Sequence, residues 1–314
     1  MVVKIAVVQA PPVLLDRSAT IARMIEAIDA AAAGGANLVV FPEAYLPGYP
    51  TWAWRLKPGA DMALAGVIHA RLRDNAIDLT RGGLKPLTDA ARAREVTVVA
   101  GLHELDGEFS GSTLFNTVVV IGPDGAILNR HRKLVPTNPE RMVWGRGDGR
   151  GLRVVDTPAG RLGTLLCWEA YMPLARYALF AQGIELLVVP TWDCGAVWTA
   201  SMRHIAREGG CFVIATATAI QGKDVPAGFP ERQRLFPDAE EWICDGDALI
   251  VSPLGEIVAG PLHRDKAVLT AAIEPGDAAR ARRSLDITGH YARPDIFTLT
   301  VNRAPMQPVD FADG

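Results

Sequence analysis

Residues Leu162–Pro190 read LGTLLCWEAYMPLARYALFAQGIELLVVP. The run Leu162–Cys167 is apolar and of strand length, and Leu186–Pro190 is a second such run. Between them Leu174–Gln182 repeats its apolar side chains at three- and four-residue spacing, the period of a helix with one buried face. Strand, helix and strand in succession predict an α/β fold with helices packed on sheets. Pro173, shortly after Cys167, fits a strand-turn-helix elbow with the cysteine at its start.

The same alternation extends in both directions. Ile5–Gln9, Leu38–Pro42, Val96–Leu102, Thr117–Ile121, Ala126–Arg130, Phe212–Ala217, Leu249–Ser252 and Val268–Ile273 read as further strands, enough for two sheets. Ser18–Ala33, Asp61–Leu79, Leu87–Arg94 and Val197–Glu208 read as helices, with Ser18 capping the first and Gly34 and Gly35 ending it. GPDG at 122–125 and PLG at 253–255 mark hairpins. The glycine-dense GRGDGRG at 145–151 neither follows a strand nor opens a helix, which argues against a phosphate cradle. Gly222–Glu241, rich in charge and turn formers, reads as a surface loop or a pocket lid.

The chain has 314 residues, 49% of them apolar and 21% charged, and nothing in it reads as a linker, so one domain over residues 1–314 is expected. A net charge of -3, with no basic cluster that interleaves aromatics, excludes the phosphate-neutralising term that dominates nucleic-acid binding. No apolar run reaches the roughly 18–20 residues of a membrane span. The N-terminus enters a strand at once, without the pattern of a signal peptide. Cys167, Cys194, Cys211 and Cys244 lie far apart, with no C-x-x-C pair and no histidine at zinc-site spacing. Reduced thiols and a cytoplasmic location follow as expectations, with one thiol available as a nucleophile.

Three polar residues stand where strands give way to loops. Glu43 follows Leu38–Pro42, Lys133 follows Ala126–Arg130, and Cys167 closes Leu162–Leu166. Ligands of α/β sheets bind beyond the carboxyl ends of strands, so three such ends are placed to converge on one pocket. A thiol, a carboxylate and an ammonium form a complete set for attack on a polarised carbon. A thiol of pKa about 8.5 needs a cation, a helix N-terminus or a base to become a nucleophile. Lys133 and the backbone N–H of Trp168 are suited to the charge that develops on the attacked group, and Glu43 to proton transfer.

The strings that carry these residues, Phe41-Pro42-Glu43, Arg132-Lys133-Leu134 with Pro136-Thr137, and Cys167-Trp168-Glu169, resemble those of the nitrilase superfamily of carbon-nitrogen hydrolases. Glu140-Arg141, Val143-Trp144-Gly145 and Gly289-His290-Tyr291-Ala292-Arg293-Pro294-Asp295 resemble its nitrile-hydrolysing branch. The likeness runs from about Val3 to Val301. It implies a four-layer α-β-β-α sandwich that dimerises, or assembles further, through an outer helical layer, with a C-terminal extension over about 285–314. It also implies that Glu43, Lys133 and Cys167 form the catalytic triad and that Glu140 orients Lys133 and the substrate. Glu169 is expected to support the elbow. His290 is expected to be structural, and His204 to serve packing or a dimer interface. Ala170 departs from the pattern, since a His or Asn often follows Cys-Trp-Glu in nitrilases, and this bears on substrate choice.

The implied reaction needs no metal or organic cofactor and takes a small-molecule nitrile to its acid and ammonia through a covalent thioimidate and thioester. An amidase or N-carbamoyl hydrolase would use the same triad, and a catalytically silent binding or scaffold protein is the alternative of another class. Tyr49, Trp144, Trp168 and Trp192 lie near the motif strings and are expected to wall the substrate pocket.

Overall fold

Residues 1–57 and 59–309 are described by the computed structural model; residues 310–314, the end of the expected C-terminal extension, lie outside the described residues. The first half of the chain forms β1 (Val3–Val8), β2 (Leu38–Val40), β3 (Thr97–Leu105), β4 (Leu114–Ile121) and β5 (Ile127–Arg132). The second forms β6 (Val155–Thr157), β7 (Gly160–Thr164), β8 (Leu186–Pro190), β9 (Phe212–Thr216), β10 (Ala219–Gln221), β11 (Trp242–Val251) and β12 (Ile257–His263). A last strand, β13 (Val268–Ile273), returns to the first sheet and pairs antiparallel with β1, giving the order β13-β1-β2-β3-β4-β5. The second sheet runs β10-β11-β9-β8-β7-β6, with β12 paired to β11.

Side-chain alternation makes four layers of these strands. Ile5, Val7, Leu38, Val40 and Val99 face Leu162, Leu186, Val188, Ile214 and Ile250 of the other sheet, forming the central core. Their neighbours Ala6, Val8, Val39, Val98 and Ala100 point outward onto two helices, α1 (Arg17–Ala33) and, beyond α2 (Met62–Asn75), α3 (Lys85–Arg94). On the far side Leu187, Val189, Val213 and Val251 meet α4 (Pro173–Phe180) and α5 (Gly195–Gly209). Each fully buried aliphatic side chain contributes about 1.5–3 kcal/mol, so strands that are apolar on both faces are the main source of cohesion. The α-β-β-α sandwich implied by the motif strings is the observed architecture. Among the described residues no helix is long and apolar enough to cross a membrane.

Several local expectations are corrected. Asp16, not Ser18, caps α1: its carboxylate accepts from the Ala19 N–H at 2.9 Å, and a carboxylate at that position also suits the helix dipole. The helix expected over Asp61–Leu79 stops at Asn75, because Ile77 exchanges backbone hydrogen bonds with His103 and Leu105 of β3. Gly222–Glu241 lies at the surface as expected, with Lys223, Glu231 and Pro237–Glu240 exposed, but it is anchored rather than loose. It carries Phe229, Leu235 and Phe236 into a core shared with Trp52, Tyr49 and Trp144, and the Arg55 guanidinium lies over the Phe236 ring at 4.6 Å. The hairpins at 122–125 and 253–255 join β4 to β5 and β11 to β12 as expected.

Candidate active site

Glu43 follows the turn that leaves β2. That turn lies directly on β3: Phe41 N–H donates to Val99 and Leu46 N–H to Gly101. A Cβ on residue 101 would fall 2.2 Å from the Pro42 carbonyl oxygen and 2.9 Å from the Glu43 Cα, so glycine is what lets the turn seat against the strand. The Glu43 side chain is fully buried. Its Oε1 accepts from Lys133 Nζ at 2.7 Å and from Asn116 Nδ2 at 2.7 Å, whereas its Oε2 has no hydrogen-bond partner.

Lys133 is the first residue past β5. Its N–H donates to the Asn116 carbonyl of β4 at 2.7 Å, and its carbonyl accepts from Gly147 at 2.8 Å. The glycine-dense stretch at 145–151 thus serves as a strap over β5. A Cβ at 147 would lie 2.2 Å from the Arg132 carbonyl oxygen. The buried ammonium spans Glu43 and Glu140, whose Oε2 accepts at 2.8 Å. Glu140 sits in the 3-10 turn Asn138–Met142 and is itself buried. The same Oε2 accepts from Thr137 N–H at 2.7 Å, and Oε1 accepts from the Tyr49 hydroxyl at 2.6 Å. A surface ion pair with Arg141 does not form; the Arg141 side chain instead donates to the Pro136 carbonyl.

Cys167 occupies the turn between β7 and α4 with φ of +52°, a left-handed conformation that costs a non-glycine residue of order 1–3 kcal/mol unless its surroundings hold it. Glu169 does the holding. Its carboxylate accepts from Leu166 N–H at 2.6 Å, from Leu134 N–H at 2.6 Å and from His131 Nε2 at 2.9 Å. One buried side chain therefore clasps the residue before the cysteine to the residue after the lysine.

The electrostatics follow from one ammonium buried between two carboxylates. Burial opposes the Lys133 charge, but the surrounding Glu43, Cys167 and Glu140 outweigh it and hold the ammonium above its ordinary range. Burial raises the Glu43 carboxyl, which the Lys133 ammonium lowers and the Glu140 charge raises again, leaving it at about 7. Burial, with Glu43 beside it, pushes the Cys167 thiol up to about 12 in spite of Lys133. As pH rises through about 7 the resting site thus comes to hold a protonated thiol, a charged lysine and a Glu43 carboxylate able to accept a proton. The Glu169 carboxyl is held below its ordinary value: burial works against its charge, but His131 and two backbone N–H groups prevail.

A cavity of about 120 Å³ opens onto the sulfur, lined by Tyr49, Trp54, Thr137, Glu140, Cys167, Trp168, Trp192 and Asp193. Tyr49 and Trp192 stack with ring centres 4.2 Å apart and planes within 2°. Trp168 donates its indole N–H to Asp193 at 2.8 Å. Trp144, expected in this wall, stands behind it: its ring meets Tyr49 edge-on, and its N–H donates to His103 Nδ1 at 2.9 Å. An indole is only a donor, so His103 Nδ1 is the acceptor and its Nε2 carries the proton, donated to the Gly48 carbonyl at 2.9 Å. Burial keeps this histidine neutral, pressing it down to about 3.

Glu43, Lys133, Glu140 and Cys167 are therefore brought together, with Tyr49, Trp168 and Trp192 around them. His290 is exposed against Tyr291, and His204 is exposed on the outer face of α5. Asn116, His103 and Asp193 were not anticipated. The available signal was polar side chains inside otherwise apolar strands, at 103 in β3 and 116 in β4. Among the described residues no group of three or more His, Cys, Asp and Glu side chains is placed to hold a metal ion.

The carbon-nitrogen hydrolase family model matches residues 4–283. An aliphatic nitrilase of Sinorhizobium fredii (strain HH103) is 43% identical over 305 residues, covering 97% of each chain. Nitrilase 2 of Arabidopsis thaliana is 40% identical over 323 residues, covering 99% of this chain and 91% of its own. The fold is also that of a carbon-nitrogen hydrolase from Helicobacter pylori G27, with a TM-score of 0.70 at 21% identity over 94% of this chain and 97% of that one. The chain belongs to the carbon-nitrogen hydrolase family.

Proposed function

We propose that the protein is a nitrilase, converting a small nitrile to its carboxylic acid and ammonia, with Cys167 as nucleophile. The observation that carries the reading is the unpartnered Oε2 of Glu43 in a buried site that also holds the Cys167 thiol and the Lys133 ammonium, close enough for their charges to act on one another. Glu43 takes the thiol proton as sulfur bonds to the nitrile carbon, and the proton passes to the nitrile nitrogen, giving a thioimidate. Lys133 and the N–H of Trp168 face the charge that develops on that nitrogen. Glu43 then deprotonates a water, which adds to the carbon. Both protons of that water end on the nitrogen, one passed through Glu43 and one from the added hydroxyl as it becomes the carbonyl, so ammonia leaves and a thioester remains; a second water hydrolyses it to the acid and regenerates the thiol. Glu140 fixes Lys133 from the side opposite Glu43. The chemistry calls on no metal or organic cofactor.

The cavity size and the stacked Tyr49–Trp192 wall favour a compact or flat substituent on the nitrile. The full-length likeness to nitrilases favours nitriles over amides as substrates. The test is ammonia and acid release from paired aliphatic, arylacetic and aromatic nitriles and their amides, with Cys167→Ala as control. Nitrile turnover lost in the variant supports the reading. Turnover of amides alone moves the protein to amidase chemistry, and silence on both with an intact fold removes the enzymatic reading.

The wider setting of the reading is a single domain, working in the cytoplasm as a homodimer or larger homo-oligomer. Four free thiols suit a reducing compartment. An apolar groove on the outer helical layer, lined by Tyr171, Val197, Ala200 and His204 with Val197 largely exposed, suits a second copy of the chain. Light scattering on the purified protein decides the assembly.

A further inference from the structure

We propose that Asn116 is a positioning residue that confines proton transfer to one oxygen of Glu43 and sets the pH range over which that oxygen acts. The inference rests on the proposed thiol chemistry of the same site. Asn116 lies within β4, buried, with its Nδ2 2.7 Å from Glu43 Oε1 and its backbone carbonyl accepting from Lys133 N–H at 2.7 Å. Among the described residues it is the one hydrogen-bonded both to the Glu43 carboxylate and to the lysine backbone. Lys133 Nζ and Asn116 Nδ2 converge on Oε1, and both are obligate donors, so that oxygen is saturated in the charged state. Oε2 is left buried and without a partner. A proton arriving at the carboxylate lands on Oε2, the oxygen that is free to receive it.

The arrangement has an energetic consequence of definite sign. The groups acting on Glu43 are Lys133 after β5, Glu140 from the 3-10 turn, Cys167 from the elbow and Asn116 from β4, with Tyr49 behind Glu140. Lys133 and Asn116 favour its charged form, whereas Glu140 and burial oppose it. A donor aimed at a carboxylate stabilises the anion more than the acid, so removing Asn116 makes Glu43 hold its proton to higher pH. A hydrogen bond to a charged group is worth enough to move the transition by about one to two pH units.

The experiment uses Asn116→Ala and Asn116→Asp, with folding verified by circular dichroism. The rate of Cys167 alkylation by iodoacetamide is followed from pH 5 to 9, together with kcat/KM for a hydrolysed nitrile. In the wild type both rise with pH as Glu43 becomes a base. The limb is expected to move up by about one unit or more in the alanine variant, and further in the isosteric aspartate variant, where two carboxylates share one site. Limbs that stay in place while rates fall evenly at every pH would show that Asn116 only packs, and would overturn the proposal. If the alanine variant fails to fold, Asn116→Leu, which keeps the volume and removes the donor without adding a charge, takes its place. Alkylation needs no nitrile, so silence toward nitriles with a shifted alkylation limb removes the nitrilase reading and leaves the role of Asn116 standing.

Discussion

Gly101→Ala tests whether the backbone, rather than the side-chain network alone, places Glu43. The added Cβ would lie 2.2 Å from the Pro42 oxygen, 2.7 Å from the Ala44 nitrogen and 2.9 Å from the Glu43 Cα. All three are backbone atoms, so no side-chain rotation relieves the contact. To reach ordinary van der Waals separation the Pro42–Ala44 turn must retreat from β3 by about 1 Å. Glu43 moves with it, while Lys133 and Cys167, on other elements, stay clasped by Glu169. A displacement of about 1 Å in a reacting group costs on the order of 10²-fold in rate. The forced contact lowers stability by about 1–3 kcal/mol. The assay is kcat from ammonia release, read beside the thermal midpoint, with Gly66→Ala as control because a Cβ there meets nothing within 4 Å. The control should keep full activity and melt no lower. A folded Gly101→Ala protein whose kcat stays within threefold of wild type would refute the claim that the close seat of this turn positions the base.

Two further outcomes follow from the same geometry. Glu43 must be deprotonated to accept the thiol proton and is held at about 7, so kcat/KM should rise with pH through that value; Glu43→Gln should abolish the limb and lower turnover by about 10²- to 10⁴-fold without unfolding the protein. Glu169→Gln presents one acceptor oxygen to two N–H groups that each lie at 2.6 Å, that of Leu166 buried and that of Leu134 part-buried, so one donor is left unpaired at about 1–3 kcal/mol; the expected signature is a lower thermal midpoint and a fall in kcat larger than any change in KM, and unchanged kcat would show that the clasp does not set the distance between sulfur and ammonium.

Much of this was legible in the sequence because the governing signals are local. Runs that are apolar on both faces give buried strands, and Glu43 and Cys167 each end such a run, whereas Lys133 follows the polar strand Ile127–Arg132 and was visible through its place at a strand end and its motif string. The rest depends on contacts between distant segments. Gly145–Gly151 reads as a loose loop until its glycines are seen against β5. The helix after Asp61 loses its last turn to a pairing with β3 that helical spacing does not encode. Trp144 has the composition of a pocket residue, yet its N–H is committed to His103, forty-one positions away. Asn116 escaped notice because the strand was read as starting at Thr117, three residues too late, and a lone polar residue in a strand does not say which carboxylate it will meet.

The charge balance of the site explains why it contains a second glutamate. With a neutral thiol, two carboxylates and one ammonium leave a single negative charge buried. That excess charge makes Glu43 a stronger base, because the Glu140 anion raises the Glu43 carboxyl while Lys133 lowers it, and since it raises the Cys167 thiol as well, the proton leaves sulfur only as the bond to the nitrile carbon forms. Were Glu140 neutral, the ammonium would belong to Glu43 alone, and Glu43 would stay ionised to lower pH and be a weaker base. Glu140→Gln should therefore move the acid limb of kcat/KM below its wild-type position of about 7, opposite in sign to the shift expected for Asn116→Ala. It should also lower kcat, since Gln replaces a charged acceptor of Lys133 by a neutral one. A limb that moved upward, or kept its place, would mean that Glu140 acts only as a prop for Lys133, and that the basicity of Glu43 comes from burial alone.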